Sequence, residues 1–172
     1  MQQSYFELFN LEPRFGIIPE QLDQAYRSLA SRVHPDRYAH ADAGAQRVAL
    51  QLATDANEAY RTLKKPLLRA RHLLGLRGVD TSERSTRMSN EFLMEQMEWR
   101  DALSDAKAAR DRNALQTLAR AVRNHTTTLQ QRLARLLDTE QNNSAAAETT
   151  YQLMFVEKLL TDIDDACASL EA

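Results

Sequence analysis

Three consecutive residues, His34, Pro35 and Asp36, carry the side chains in this sequence that are best suited to chemistry or recognition. A histidine beside a carboxylate can transfer protons, bind a metal ion or pair with an arginine of another protein. The sequence has no glycine-rich phosphate loop to accompany an acid–base pair. The spacing of His34, Asp36 and His40 also resembles no known metal site. The pattern therefore favours recognition, and a helix stop with incidental polar residues is the other reading.

Two predicted amphipathic helices position this tripeptide. The first opens at Pro19 and keeps apolar residues three and four positions apart as far as Val33. Pro35 ends it, because a proline ring disfavours helical backbone at the residue before it. The second spans Ala43–Lys64, and its predicted buried stripe is Val48, Leu52, Ala56, Ala59, Tyr60 and Leu63. Two such stripes pack antiparallel, which places the tripeptide at the tip of a helical hairpin.

The rest of the chain also follows helical periodicity, so we predict an all-α fold of two domains. A short helix at Tyr5–Phe9 and a longer one from Pro66 to Leu76 complete a first domain over residues 1–76. Residues 77–87 are polar and aperiodic and form the predicted linker. Residues 88–172 are predicted to form a three-helix bundle with patterns over Phe92–Ala106, Asp111–Leu137 and Ala145–Leu170.

Composition excludes several classes of function. The formal net charge of the 172 residues is −2, too small for a nucleic-acid binder. No apolar run reaches the length of a membrane span, and the single cysteine excludes an internal disulfide. Residues 1–76 carry ten basic and eight acidic side chains, against twelve and sixteen in residues 77–172. We expect a cytoplasmic protein and a monomer. The uneven charge hints at two surfaces for two partners, and chance is the alternative explanation.

The Phe92–Ala106 helix has two separate apolar arcs when projected at about 100° per residue. The predicted core arc contains Phe92, Trp99, Ala102, Leu103 and Ala106. The second arc contains Leu93, Met94 and Met97, edged by Glu98, Asp101 and Asp105. A bundle helix needs only one buried stripe, so the second arc is interpreted as an exposed partner site. The alternative is that another helix of the bundle covers it.

The region from Tyr26 to Arg37 resembles the second helix and signature loop of J-domains, and Asn57–Leu63 resembles their third helix. In that family the loop and the basic face of the second helix dock on a DnaK-class chaperone and stimulate its ATP hydrolysis. By resemblance, the chaperone contact would comprise Arg27, Arg32, His34, Pro35, Asp36 and Arg37. The sequence departs from many relatives at Ser28, where a basic residue is frequent, and at Val33, where an aromatic is common.

The segments Lys65–Gly78 and Phe92–Arg100 resemble HscB, the J-type co-chaperone family of iron–sulfur cluster assembly. The resemblance implies an HscA-type DnaK-class chaperone and an IscU-type scaffold protein as partners, no enzymatic activity and no cofactor in this chain. It assigns scaffold binding to Leu93, Met94, Met97, Glu98, Asp101, Asp105 and, on the last helix, Phe155. A J-protein for a different client and an inert helical interaction scaffold are the alternatives.

Overall fold

The computed structural model describes residues 4–38, 40–81 and 88–170, and all regular structure in these ranges is helical. The predicted all-α class is therefore confirmed. The chain divides into two compact units, residues 1–77 and 78–172. Most of the predicted linker 77–87 lies outside the described residues, so the linker and the domain limits 1–76 and 88–172 stay predictions.

The first unit is built around a helical hairpin. Its helices are α1 (Tyr5–Leu8), α2 (Pro19–Val33), α3 (Ala43–Lys64) and α4 (Pro66–Leu76), with a 3₁₀ turn at Pro35–Tyr38. Proline stands at the first position of both α2 and α4, where its fixed φ and missing N–H suit a helix start. Asp42 caps α3 by accepting hydrogen bonds from the amides of Gly44 and Ala45.

The stripe predicted for α3 is wrong at Val48, whose side chain is 61% exposed. Its neighbour Ala49 is buried instead and shares the α2-facing side of the helix with Ala56, Ala59 and Leu63. Alanine has a small side chain, so it lets the two helices approach closely along this seam. Val48 lies about 100° further round the helix and points away from the seam.

The second unit consists of α5 (Asn90–Ala108), α6 (Arg112–Ala134) and α7 (Asn143–Ser169), which pack on one another. Side chains of Ser89, Asp111 and Asn142 cap the three helix starts. The core contains Leu115, Val122, Leu133, Leu153, Val156 and Ile163, each at most 1% exposed. The predicted bundle of three helices is thus found in the described residues.

Two details of the second unit differ from the sequence prediction. The helix predicted to reach Leu137 ends at Ala134 and continues as a π turn over Arg135–Thr139. The wider turn lets the successive side chains of Leu136 and Leu137 both enter the core. Ala102, predicted to be a core residue of α5, is exposed. It lies at the edge of the apolar arc of α5, and the buried part of that arc contains Leu103 and Ala106.

The helices of the described residues do not combine the length and apolar character that crossing a bilayer requires.

Candidate functional site

The tip of the hairpin presents two polar side chains on a compact turn. α2 ends at Val33, His34 is non-helical with ψ of 131°, and the 3₁₀ turn follows at once. The Asp36 amide donates a hydrogen bond to His34 Nδ1 at 3.3 Å, and His34 Nδ1 lies 3.5 Å from Asp36 Oδ2. Nδ1 can accept the hydrogen bond from the Asp36 amide only when it carries no proton. The ion pair with the Asp36 carboxylate instead requires a protonated ring, so these two contacts belong to different protonation states of His34.

Both tip side chains are open to a partner, since 59% of the His34 side chain and 90% of the Asp36 side chain are exposed. Three of the predicted chaperone-binding residues are arginines. Arg27 and Arg32 are exposed on α2, and the Arg37 guanidinium donates to the carbonyl of Ser31 at 3.3 Å. That bond ties Arg37 to the last turn of α2, where a cation is favourable against the helix dipole. Arg32, His34, Asp36 and Arg37 therefore lie at the tip end of the hairpin, whereas Arg27 lies about two helical turns back along α2.

Polar and aromatic side chains join the middle of α2 to the C-terminal half of α3, and sequence reasoning did not predict these mutual contacts. The Tyr26 hydroxyl donates to Asn57 Oδ1 at 2.7 Å, and the Tyr26 ring stacks on Tyr60 with centroids 4.2 Å apart. The Tyr60 hydroxyl donates to Asp23 Oδ1 at 2.8 Å, and Lys64 Nζ contacts both groups. These bonds, the Tyr60 bond foremost, lower the pKa of the Asp23 carboxyl below its ordinary value of 3.8.

A histidine joins the first and last helices of the hairpin unit. The Tyr5 amide donates to His72 Nε2 at 3.3 Å, and the Tyr5 ring stacks on the imidazole with centroids 4.4 Å apart. Burial lowers the pKa of His72 below its ordinary value of 6.5, which keeps the ring neutral and able to accept. His72 therefore has a packing role and fastens α1 to α4.

The second predicted surface lies on α5. The exposed fractions of Leu93, Met94 and Met97 are 41%, 64% and 65%, and these residues stand among the exposed large apolar side chains of the protein. Glu98, Asp101 and Asp105 are exposed beside them. The alternative that another helix covers this arc does not hold in the described residues. We call these six residues the α5 face.

Phe155 lies next to the α5 face rather than within it. Its ring is half-buried on α7 and meets Tyr151 edge to face at 5.3 Å. It also lines a small pocket between α7 and α5, together with Gln96, Trp99 and Arg100. The structure therefore places Phe155, the scaffold-binding residue predicted on α7, beside α5, the helix that carries the other predicted scaffold-binding residues.

The opposite flank of α5 forms an open groove against α6 that sequence reasoning missed. Met94 and Glu98 line it, together with Glu91, Glu95, Phe92, His125 and Arg132. His125 stacks on Phe92, meets Trp99 edge to face at 4.9 Å, and lies with Nδ1 3.5 Å from Glu95 Oε1. Helical periodicity alone could not reveal the groove, because its walls come from three helices, α5, α6 and, through Gln152, α7.

A helical hairpin that exposes His34 and Asp36, on either side of Pro35, at its tip and is followed by a second helical unit defines a J-domain protein. Residues 88–164 match the family model described as the HSCB C-terminal oligomerisation domain. The co-chaperone protein HscB homolog of Azoarcus sp. is 46% identical over 172 residues, covering 99% of this chain and 97% of that protein. Its homolog from Ralstonia nicotianae is 47% identical over 169 residues, covering 98% and 96%.

Solved structures agree with the sequence relatives. The chaperone HscB from Vibrio cholerae has a TM-score of 0.86 and 34% identity, and the match covers 98% of this chain and 99% of that one. This chain therefore belongs to the HscB family of co-chaperones.

Proposed function

We propose that this chain is a co-chaperone of iron–sulfur cluster assembly that binds an IscU-type scaffold protein and brings it to an HscA-type chaperone of the DnaK class. The scaffold binds the second unit, and the chaperone binds the hairpin tip and is stimulated to hydrolyse ATP. Cluster transfer to a recipient protein follows from that cycle. The chain itself performs no chemistry and holds no cofactor, and we place its action in the cytoplasm.

The observation that carries this proposal is the exposure of the α5 face. Removing an apolar side chain from water is favourable, so an uncovered Leu and two uncovered Met on one helix represent unrealised binding energy. Methionine is also flexible and polarisable, which suits a surface that must fit a partner. The carboxylates at its edge favour a partner with basic side chains there and help to orient it.

The hairpin supports the other half of the proposal. The exposed Asp36 carboxylate can accept a charge-assisted hydrogen bond from an arginine of the chaperone. Arg27 and Arg32 lie exposed on the same helix and attract an acidic surface, which raises the rate of association. Pro35 restricts the backbone between the two polar residues and so reduces the entropy lost on docking.

Carrying both surfaces on one chain is the physical basis of delivery. Once the scaffold is bound to the second unit, its encounter with a chaperone at the tip takes place within one assembly. The effective concentration of one partner near the other then exceeds its concentration in free solution.

The test is steady-state ATP hydrolysis by a purified HscA-type chaperone, measured with this protein alone, with an IscU-type scaffold alone, and with both. We expect stimulation by this protein and a further, more than additive, stimulation when the scaffold is present. If this protein stimulates the ATPase equally with and without scaffold, the scaffold is not its client. The protein would then be a J-protein that serves a different client. No stimulation at all would leave an inert helical scaffold.

A further inference from the structure

The open groove between α5 and α6 has more acidic than basic side chains in its walls. Three carboxylates of α5 line it, those of Glu91, Glu95 and Glu98, and Arg132 lies on the side of α6. Glu91 and Glu95 are four residues apart, a spacing at which like charges weaken a helix, so the stability of α5 does not explain the arrangement. The excess of negative charge favours a cationic partner.

The groove is large enough to take a whole side chain. Its volume is about 520 Å³, within the roughly 300–1,000 Å³ of sites that hold small molecules. Phe92 and Leu129 are each 4% exposed and close the floor, while Met94 at the rim is 64% exposed. A long side chain that ends in a charge suits this space, because its methylene groups can cover Met94 while its charged end reaches the carboxylates.

His125 orients one of these carboxylates, that of Glu95. Nε2 of His125 is buried and has no hydrogen-bond partner among the described residues, whereas Nδ1 lies 3.5 Å from Glu95 Oε1. The proton of the neutral ring therefore belongs on Nδ1, because on Nε2 it would be unpaired and a lone pair would face the carboxylate. Phe92 and Trp99 hold the ring in this position through their aromatic contacts.

Glu95 keeps the capacity to bind a second group. Its side chain is 38% exposed, so a partner in the groove can reach it. A carboxylate offers about four acceptor positions, and the contact with His125 occupies one of them at most. The carboxylate is thus held in a known direction and is still open to a cation.

We propose that the groove takes up one lysine or arginine side chain of the bound scaffold, and that the Glu95 carboxylate, with His125 as its positioning residue, pairs with the charged end. The inference rests on the proposed function and extends the scaffold site beyond the α5 face. Met94 and Glu98 belong to the α5 face and also line the groove, so a scaffold that covers the face lies directly beside it. A protein without a cation at this point would leave a partly desolvated carboxylate unpaired, which disfavours its binding.

The test compares the affinity of a purified IscU-type scaffold protein for wild type and Glu95→Gln by isothermal titration calorimetry. Glutamine keeps the shape of the side chain, and its amide oxygen can still face His125, so the melting temperature should match wild type. We expect the dissociation constant to rise about fivefold at low salt, the upper end for an ion pair that stays partly solvated. The rise should shrink in about 0.5 M salt, where the Debye length is only a few ångströms.

Glu140→Gln is the matched control for the loss of one negative charge from the second unit. The Glu140 side chain is 43% exposed and contacts Arg135 at 2.9 Å, so its exposure and its pairing with a basic residue are similar to those of Glu95. Glu140 is not among the described residues that line the groove. Its substitution should leave scaffold binding nearly unchanged.

Arg132→Gln tests the sign of the charge that the groove accepts. Arg132 is exposed on the opposite wall and repels a bound cation. Its removal should therefore lower the dissociation constant about two- to fivefold at low salt. Damage to the fold would weaken binding instead, so tighter binding separates the electrostatic role from a structural one.

His125→Phe tests the positioning role, because phenylalanine keeps an aromatic ring beside Phe92 and Trp99 but cannot donate to Glu95. It should weaken scaffold binding about twofold in the wild-type background and have no further effect in the Glu95→Gln background. The same loss in both backgrounds would mean that His125 acts on the scaffold site through packing alone.

The outcomes separate this inference from the proposed function. Equal affinity of wild type and Glu95→Gln would reject the inference while leaving the proposed function intact. A loss that persists undiminished in high salt would reject the ion pair. Tighter binding by Glu95→Gln and weaker binding by Arg132→Gln would assign an anionic occupant and overturn the inference. No binding of the scaffold to wild type would reject the proposed function and this inference together.

Discussion

At the scale of single residues, the exposed side chains of the hairpin tip are polar and favour contact with water, whereas the exposed Leu and Met side chains of the α5 face do not. His34 and Asp36 are polar and well solvated, so under the proposed function their contribution to binding would come from the geometry of their bonds to the chaperone. Met94 and Met97 are apolar and exposed to water, so their contribution to scaffold binding would come from removing that apolar surface from water. Substitutions at either place should therefore change binding and leave folding nearly unaffected.

His34→Gln should lower stimulation of the chaperone ATPase by about tenfold or more, as expected when a central contact residue is lost. Its melting temperature should match wild type, because the side chain is exposed and bonds only to its own turn. Steady-state hydrolysis assays measure the effect. His40→Gln, also exposed near the tip, is the control and should stimulate normally. Full stimulation by His34→Gln would remove the tip from the chaperone contact.

Met97→Ala should weaken scaffold binding by roughly ten- to a hundredfold if this exposed side chain is buried on association. Calorimetric titration with the scaffold measures the change. Leu50→Ala is a suitable control, since Leu50 is 61% exposed on α3 of the other unit. Equal losses in the two variants would mean that exposed apolar area in general, and not the α5 face, governs binding.

At the scale of helices, the hairpin depends on a few bonds that link distant segments. Tyr26, Asn57 and Tyr60 join the middle of α2 to α3, and His72 joins α1 to α4. The second unit depends more on apolar packing, with α6 and α7 meeting along most of their lengths. The hairpin is consequently the unit whose stability should respond more to pH near neutrality.

The stability of the hairpin unit should fall as the pH drops below about 6.5, the ordinary pKa of histidine. The folded pKa of His72 is lowered by burial, so the unfolded chain takes up a proton before the folded one does. The contribution of His72 to stability is therefore fully present above the pKa that this histidine has in the unfolded chain. It is lost as the pH falls from that value toward the lower pKa that His72 has in the folded protein. Urea unfolding followed by circular dichroism at pH 7.5 and 5.5 measures the difference.

The matched variant for this effect is His72→Gln, because the glutamine side chain does not titrate in that range. Its loss of stability between the two pH values should be smaller than that of wild type. The Asp23 carboxyl does not interfere, because its pKa is lowered from 3.8 and its pH dependence falls below this window. Identical losses in the two proteins would show that His72 does not couple to folding.

At the scale of the whole molecule, the proposed delivery of scaffold to chaperone requires the hairpin tip and the α5 face to be on the same chain. A mixture of His34→Gln, which retains the α5 face, and Met97→Ala, which retains the tip, should not recover the synergy with scaffold that wild type shows. Each variant holds only one partner well, so neither raises the effective concentration of the two partners together. The ATPase assay with the mixed variants measures this directly.

Recovery of synergy in the mixture would mean that two chains associate and share their surfaces. The family model that matches residues 88–164 is described as an oligomerisation domain, which makes this outcome informative. The monomer expected from the sequence stays a prediction, and light scattering coupled to gel filtration tests it. A dimer in solution together with recovered synergy would replace the single-chain account of delivery.

Local signals in the sequence determined which segments are helical and where they stop. Proline at 19, 35 and 66 sets φ and removes an amide, and side-chain caps such as Ser89 satisfy helix ends, so these boundaries depend on neighbouring residues alone. Periodicity also placed the α5 face correctly on the exposed side of its helix. The site assignments came from resemblance and remain predictions.

Only the tertiary structure decided how the helices meet. It buried Ala49 instead of Val48, exposed Ala102, and placed Phe155 across a pocket from Gln96. It also supplied the partners of His72 and His125. Each outcome depends on distances between segments far apart in the chain, and those distances follow from the packing of whole helix faces. A period of 3.6 residues indicates which side of a helix is apolar, but not which neighbouring side chains it will contact.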